Sequence, residues 1–225
     1  MTYKGNIGII SDLHIPFERP DYLNFCVEIF DRCKCKIIVH IGDLVDFHAV
    51  SFHEHNPNGM SPADEMAEAD KHLKRWFGAF PQVYLCRGNH DRLPERNALL
   101  HGLPDRMMKS FREIWNFPIG WQDDFSWEFY GVRFMHGTGF SGRYAHIKAA
   151  EANRQSTVIG HIHSTLATDY LVSEKDRIFA MNIGCGIDRK TYAFNYGRDF
   201  PKKPALGCGV VTDKGNYCQV FAMPL

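Results

Sequence analysis

KIIVHIGD, residues 36–43, is an apolar run that stops abruptly at a glycine and an aspartate. It has no polar positions at a spacing of two, so it reads as a strand covered on both faces rather than one lying at a surface. NIGII (6–10) and QVYLC (82–86) have the same character. Between the first and second runs, Leu23, Cys26, Val27, Phe30 and Cys33 recur at helical spacing over residues 20–34. Between the second and third, Ser61, Pro62 and Asp64 form a helix start ahead of Met66, Leu73, Trp76 and Phe77. This β-α-β-α-β order predicts a parallel sheet with helices on its faces, and the chemistry of such a sheet gathers at the carboxyl ends of its strands.

Polar residues stand at those ends. Asp12 and His14 follow the first strand, Asp43 and Asp46 the second, and Asn89, His90 and Asp91 the third. The later runs VRFMH and TVIGH lead into His136 and into His161 and His163. In extended chain, residues two apart point the same way, so Asp12 with His14, and His161 with His163, can each present two ligands to one place. The glycines before Asp43, Asn89 and His161 permit sharp turns and close approach. Seven donors (Asp12, His14, Asp43, Asn89, His136, His161, His163) are too many for one tetrahedral ion and suit two octahedral ions that share a carboxylate ~3.5–4 Å apart.

Each motif has a plainer reading when taken alone. An aspartate after a strand is ordinarily a turn or cap residue, and Asn, Gly and Asp are turn formers in any context. His40 reads as a core histidine, and His53 and His55, with no strand behind them, as a solvated loop. The weight lies in five clusters occurring in order, each behind a strand.

The chain of 225 residues, with 44% apolar and 23% charged residues, can support an ordinary globular core, which excludes disorder, collagen and coiled coil. Twenty-six basic residues balance 26 acidic ones, so no global field draws the protein to nucleic acid or anionic lipid. Seven cysteines, an odd number and mostly within apolar runs, indicate a reducing compartment. With no secretory leader pattern and no membrane-length apolar run, the expectation is a cytoplasmic protein without a membrane partner. Residues 92–120 read as a helical and irregular excursion. The second half is rich in strands (SWEFY, VRFMH, TVIGH, ATDYLV, RIFAMNIG, GCGVVT, YCQVFAM), with a helix near 143–153. With no linker or repeat, residues 1–225 are expected to form one domain with two packed sheets.

In order, the blocks SDLH, GDLVD, GNHD, MHG and GHIH resemble those of the calcineurin-like metallophosphoesterase superfamily. The resemblance implies an α/β fold, a four-layer α-β-β-α sandwich of two packed mixed sheets flanked by helices. It implies two divalent metal ions, with Mn the first expectation and Fe, Zn, Ni or Co alternatives. One ion would take Asp12, His14, Asp43 and His163, and the other Asp43, Asn89, His136 and His161. It further implies attack by a metal-bridging hydroxide on a phosphoester, with His90 as general acid, Asp46 as its carboxylate partner and Asp91 as a cap on the following segment. Arg87 and Arg143 are candidates for substrate contact. The block GDLVD continues with Phe47 and His48 where phosphoprotein phosphatases carry Arg-Gly, and this tilts the resemblance toward small phosphodiesterases with secondary monoesterase activity. The expected substrate is a nucleotide or another small diester. A DNA or RNA nuclease or end-processing phosphatase, with Arg87, Arg92, Arg96, Arg106, Lys109 and Arg112 along a groove, is one alternative, and a non-catalytic metal-binding scaffold is another. Segment 188–209, aromatic and basic, would shape either substrate access or an oligomer contact. The sequence leaves the oligomeric state open.

Overall fold

The structure, a computed structural model, describes residues 5–52, 56, 58–197 and 199–224. His53 and His55 lie outside them. Strands β1 (Asn6–Ile10), β2 (Cys35–His40), β3 (Val83–Cys86) and β4 (Trp121–Asp124) are parallel neighbours. The chain returns at the end of the sequence to complete this sheet: β10 (Gly207–Thr212) pairs antiparallel with β1, and β11 (Tyr217–Ala222) with β10. The first sheet therefore has the order β11-β10-β1-β2-β3-β4.

The second sheet has the order β5-β6-β7-β9-β8. It comprises β5 (Ser126–Phe129), β6 (Val132–Met135), β7 (Thr157–Ile159), β8 (Leu166–Val172) and β9 (Arg177–Ile183). Strands β6, β7 and β9 are parallel, while β5 and β8 are antiparallel flanks.

Side-chain alternation sorts the residues into layers. Ile7, Ile9, Ile37, Val39 and Ile41 of the first sheet face Phe134, Val158, Phe179, Met181 and Ile183 of the second. On its other face the first sheet turns Ile10, Val83, Leu85 and Val210 toward two helices. Helix α1 (Tyr22–Arg32) contributes Tyr22, Cys26, Ile29 and Phe30, and α2 (Pro62–Ala79) contributes Ala69, Leu73 and Trp76. Helix α5 (Ala145–Asn153) covers the outer face of the second sheet through Ala145 and Ala149 against Ile159. The result is the expected α-β-β-α sandwich of mixed sheets. The Trp127 indole N–H of β5 donates to the Leu85 carbonyl of β3 (3.0 Å), a cross-sheet bond beside the loop that carries Asn89 and His90.

Helix α2 starts as the sequence indicates: Ser61 accepts the Asp64 N–H and Pro62 occupies the first turn. Its buried face differs from the expected one, because Met66 is exposed and Glu65 is buried. The excursion carries α3 (Leu93–Leu100) and α4 (Phe111–Ile114) outside both sheets, and β4 follows it. The sequence WQDD gave no strand signal. It holds its place at the sheet edge because Trp121 is buried against Phe77 and Phe117 and donates its indole N–H to the Phe80 carbonyl (2.8 Å). Among the described residues no helix is long and apolar enough to cross a membrane.

Two expectations follow from the packing. Phe134 is fully buried between the sheets, so Phe134→Ala should lower the unfolding free energy in a urea titration by about 3–5 kcal/mol; a loss below about 1 kcal/mol would contradict the inter-sheet core. His72 of α2 lies 2.7 Å from the carboxylate of buried Glu18, and this hydrogen bond holds its imidazole above the ordinary histidine range. The pair's stabilisation is then fully present below about pH 6.5, the ordinary histidine value, and lost as pH rises through the raised folded one. The stability gap between wild type and His72→Gln should shrink from pH 5.5 to pH 9, and an unchanged gap would refute the pairing.

Candidate metal centre

Five parallel strands, β1, β2, β3, β6 and β7, end at one place. Beyond β1 the chain continues its pairing with the segment after β2: Asp12 N–H donates to the Gly42 carbonyl and His14 N–H to that of Asp43, each at 3.0 Å. Asp12, His14, Asp43 and His161 all have φ between 48° and 65°, the left-handed region that side chains seldom occupy. Four of the seven sequence-identified donors thus sit on strained backbone, the kind of cost that structures retain at functional sites. Two glycines make the convergence feasible. A Cβ on Gly88 would collide with Asp43, and one on Gly160 with Ser11 and Asp12.

The carboxylates are each divided between the chain and the centre. Asp12 Oδ2 accepts the Ser11 hydroxyl and the His161 N–H, leaving Oδ1 3.0 Å from His163 Nε2 and 3.8 Å from His14 Nε2. Asp43 Oδ1 accepts the His90 N–H (2.8 Å), and Oδ2 faces His14 Nε2 at 3.6 Å and His136 Nε2 at 3.2 Å. Asn89 Oδ1 and His161 Nδ1 lie 3.0 and 3.2 Å from His136 Nε2. Two groups of donors result, Asp12–His14–His163 and Asp43–His136–His161, and each has its ligand atoms within 4.8 Å of one another. His14, Asp43 and His90 meet the same criterion.

The histidine tautomers decide whether these donors suit a cation. His14 Nδ1 is 2.5 Å from Asp46 Oδ1, and His136 Nδ1 is 3.0 Å from the Ile41 carbonyl. Both partners only accept, so both Nδ1 atoms donate, and each Nε2 turns a lone pair toward carboxylate or amide oxygen. Lone pair facing lone pair in a buried space calls for a proton or a metal ion. The charges of the surrounding side chains agree. Burial would pull His14 and His136 down, yet the Asp12, Asp43 and Asp46 carboxylates hold His14 well above its ordinary value and His136 at about 9. Burial would push Asp12 and Asp43 up, yet the histidines hold both below the usual carboxylate range. Positive charge is stabilised where a divalent ion would sit, and a bound ion would displace those protons.

His90 stands at the open side with its side chain 22% exposed. Its Nδ1 lies 2.8 Å from the Asp46 backbone carbonyl and 3.2 Å from Asp46 Oδ1. Asp46 therefore serves two histidines, with the shorter carboxylate contact going to His14. Burial alone would lower the His90 imidazole; the Asp43 and Asp46 charges leave it above its ordinary value.

Asp91 does not cap the segment after it. Its Oδ1 accepts the N–H groups of Leu44 and Val45 and its Oδ2 that of Gly88, so it ties the Asp43 loop to the Asn89 loop. Glu65 plays a comparable part: its two oxygens accept the N–H groups of His48 and Ala49 (2.7 and 2.8 Å) and hold the turn after Asp46, and burial pushes its carboxyl up to about 7. Neither role has a sequence signal, because the partners are backbone groups distant in the chain. Arg87 pairs with Asp123 (3.7 Å), lies over the Phe125 ring (4.3 Å), and lines a hollow of about 330 Å³ with Asn89, Arg92 and Arg96. Arg112 is turned to Asp123 and Phe117, and Lys109 lines a different hollow. Arg143 is exposed, 5.8 Å from the Tyr144 ring, and also lines a separate hollow, with Ser164 and Lys202.

The model of the calcineurin-like phosphoesterase superfamily domain matches residues 6–193, a span that takes in all seven donors. The chain belongs to that superfamily. No curated protein matches the sequence. Among solved structures, this calcineurin-like chain is similar to vacuolar protein sorting 29 from Cryptosporidium parvum (TM-score 0.50, 13% identity, covering 98% of this chain and 91% of that one). It is also similar to a metallophosphoesterase from Sphaerobacter thermophilus (0.49, 13%, 98% and 88%) and to an archaeal phosphodiesterase (0.48, 17%, 97% and 99%). At these identities the first of them speaks to the shared fold and not to activity. For this calcineurin-like chain the donor set fits the divalent metal ions that the family implies.

Chelator-stripped protein should therefore rise in melting temperature when Mn is restored, since an ion bound only by the folded state stabilises it. Asp43→Asn should abolish most of the rise. No shift in the wild type would contradict the centre.

Proposed function

We propose that this protein hydrolyses phosphodiesters, and monoesters more slowly, using two divalent ions, with manganese effective in vitro. The observation that carries the reading is Asp43 Oδ2, which faces His14 Nε2 (3.6 Å), a donor of one group, as well as His136 Nε2 (3.2 Å) of its own group. Asp12, His14, Asp43 and His163 would hold one ion, and Asp43, Asn89, His136 and His161 the other. When bound, such a pair offsets the phosphoester's negative charge and activates water.

The chain's own residues supply the rest. With Nδ1–H held by the Asp46 backbone carbonyl, His90 keeps Nε2 for the substrate, on the exposed side of the centre. An imidazolium favoured by two neighbouring carboxylates is suited to hand its proton to the departing oxygen. Asp46 is a positioning residue, shared between His14 and His90. The loop ties made by Asp91 and Glu65 fix the segments that carry Asp43, Asn89 and Asp46. A protein named for vacuolar sorting shares the fold, so the fold alone does not imply turnover. What favours an enzyme over a scaffold here is the pairing of a complete donor set with an oriented, partly exposed His90.

The test restores Mn to stripped protein and compares bis(4-nitrophenyl) phosphate, 4-nitrophenyl phosphate and diphenyl phosphate. The dinitrophenyl diester should be cleaved faster than the monoester, and only with metal. His90→Ala should lower kcat/KM on diphenyl phosphate about 10²–10⁴-fold, and less on the nitrophenyl diester, whose leaving group needs little protonation. An equal loss on both diesters would remove His90 as the acid, and metal-independent turnover would remove the mechanism.

A further inference from the structure

A cleft of about 930 Å³ opens from His161 and His163. Its wall includes Arg189, Lys190, Phe194 and residues 200–204, and the chain just beyond them is tied to the centre itself: Ala205 N–H donates to the His163 carbonyl (2.7 Å), and its own carbonyl accepts the Cys185 N–H (3.0 Å). Two chemistries share this cleft. Ile162, Ile187, Phe194 and Phe200 supply apolar surface. Phe194 is buried with its ring 5.7 Å from that of His14, while Phe200 is 57% exposed, an aromatic face at the mouth. Arg189, Lys190, Lys202 and Lys203 supply four cations, and no carboxylate is among the lining residues described. The lining is thus basic, although Asp188 borders Arg189 and Lys190 in the adjoining hollow.

On the other side of the centre, the hollow that starts at Asn89 and His136 carries Arg87, Arg92 and Arg96, two of them over the Phe125 ring at 4.3 and 5.1 Å. A scissile phosphate at the centre would thus have basic, aromatic-edged surface on both flanks. A monoester occupies one flank at most; a diester has two substituents and can fill both. Anionic groups spaced along a chain, each beside a flat ring, match cations interleaved with exposed aromatic faces. Resting on the phosphodiesterase reading, we infer that the substrate is a nucleotidyl diester, an oligonucleotide strand or a dinucleotide. One nucleotide lies in the cleft of Phe200, Lys190 and Lys202 and its neighbour along Arg87, Arg92 and Arg96. Segment 188–209 then shapes substrate access.

The test uses the full chain with Mn and two exposed changes, Phe200→Ala and the pair Lys190→Ala with Lys202→Ala. The ratio of kcat/KM for thymidylyl-(3′→5′)-thymidine to that for bis(4-nitrophenyl) phosphate should fall about tenfold or more in each. Binding is read separately, by fluorescence anisotropy of labelled hexathymidylate on His90→Ala protein. Phe200→Ala should raise Kd about tenfold, and the lysine pair should reduce the salt slope of log K by about 1.4. If bis(4-nitrophenyl) phosphate is cleaved while the ratio and the Kd stay as in wild type, the nucleotide cleft is refuted and the phosphodiesterase reading stands. If no ester is cleaved but hexathymidylate binds through Phe200, the hydrolase reading falls and the cleft stands. A preference for 4-nitrophenyl phosphorylcholine over the dinucleotide would overturn the assignment in favour of an aliphatic diester.

Discussion

Asp43 is the constraint around which the centre is built. A fully buried carboxylate that receives one backbone N–H and turns its other oxygen to two imidazole nitrogens needs positive charge on that side, a proton or a metal ion. The neighbouring carboxylates favour the protonated forms of His14 and His136, and a bound divalent ion would take the place of those protons. The surroundings serve this arrangement. Gly88 exists because no Cβ fits beside Asp43, Asp91 ties the backbone that follows Asp43 to Gly88, and His90 takes its position from Asp43 Oδ1.

The two sheets explain why such a cluster holds its shape. Ligands at the ends of β1, β2 and β3 belong to one sheet and those after β6 and β7 to the other, and each donor group draws on both, so the inter-sheet core of isoleucine, valine and phenylalanine sets the spacing of the donors within each group. The left-handed residues at Asp12, His14, Asp43 and His161 are tolerated because each follows a strand anchored in that core. Stability and site geometry thus rest on the same packed core.

Much of this was legible in the residues. Continuous apolar runs ending in Asp, Asn or His identify β1, β2, β3, β6 and β7 and their seven donors, because burial on both faces and ligand chemistry each leave a compositional trace. Other features left none. Strand β4 reads WQDD, and only the packing of Trp121 makes it a strand. Asp91 looks like any turn aspartate until its backbone partners 46 and 47 residues away are seen. Glu65 sits in a helical pattern that suggests a solvated face, and its burial depends on the turn at His48 and Ala49. Of the six basic residues at 87–112 raised as a groove, Arg87, Arg92 and Arg96 line the hollow beside Asn89, which no spacing rule could select.

The most direct measurement is the anomalous scattering of Mn-soaked crystals of the protein. Two peaks about 3.5–4 Å apart, one beside Asp12 and His163 and the other beside Asn89 and His161, with Asp43 touching both, are expected. A single peak, or two that do not share Asp43, would contradict the bridged centre on which the proposed chemistry depends.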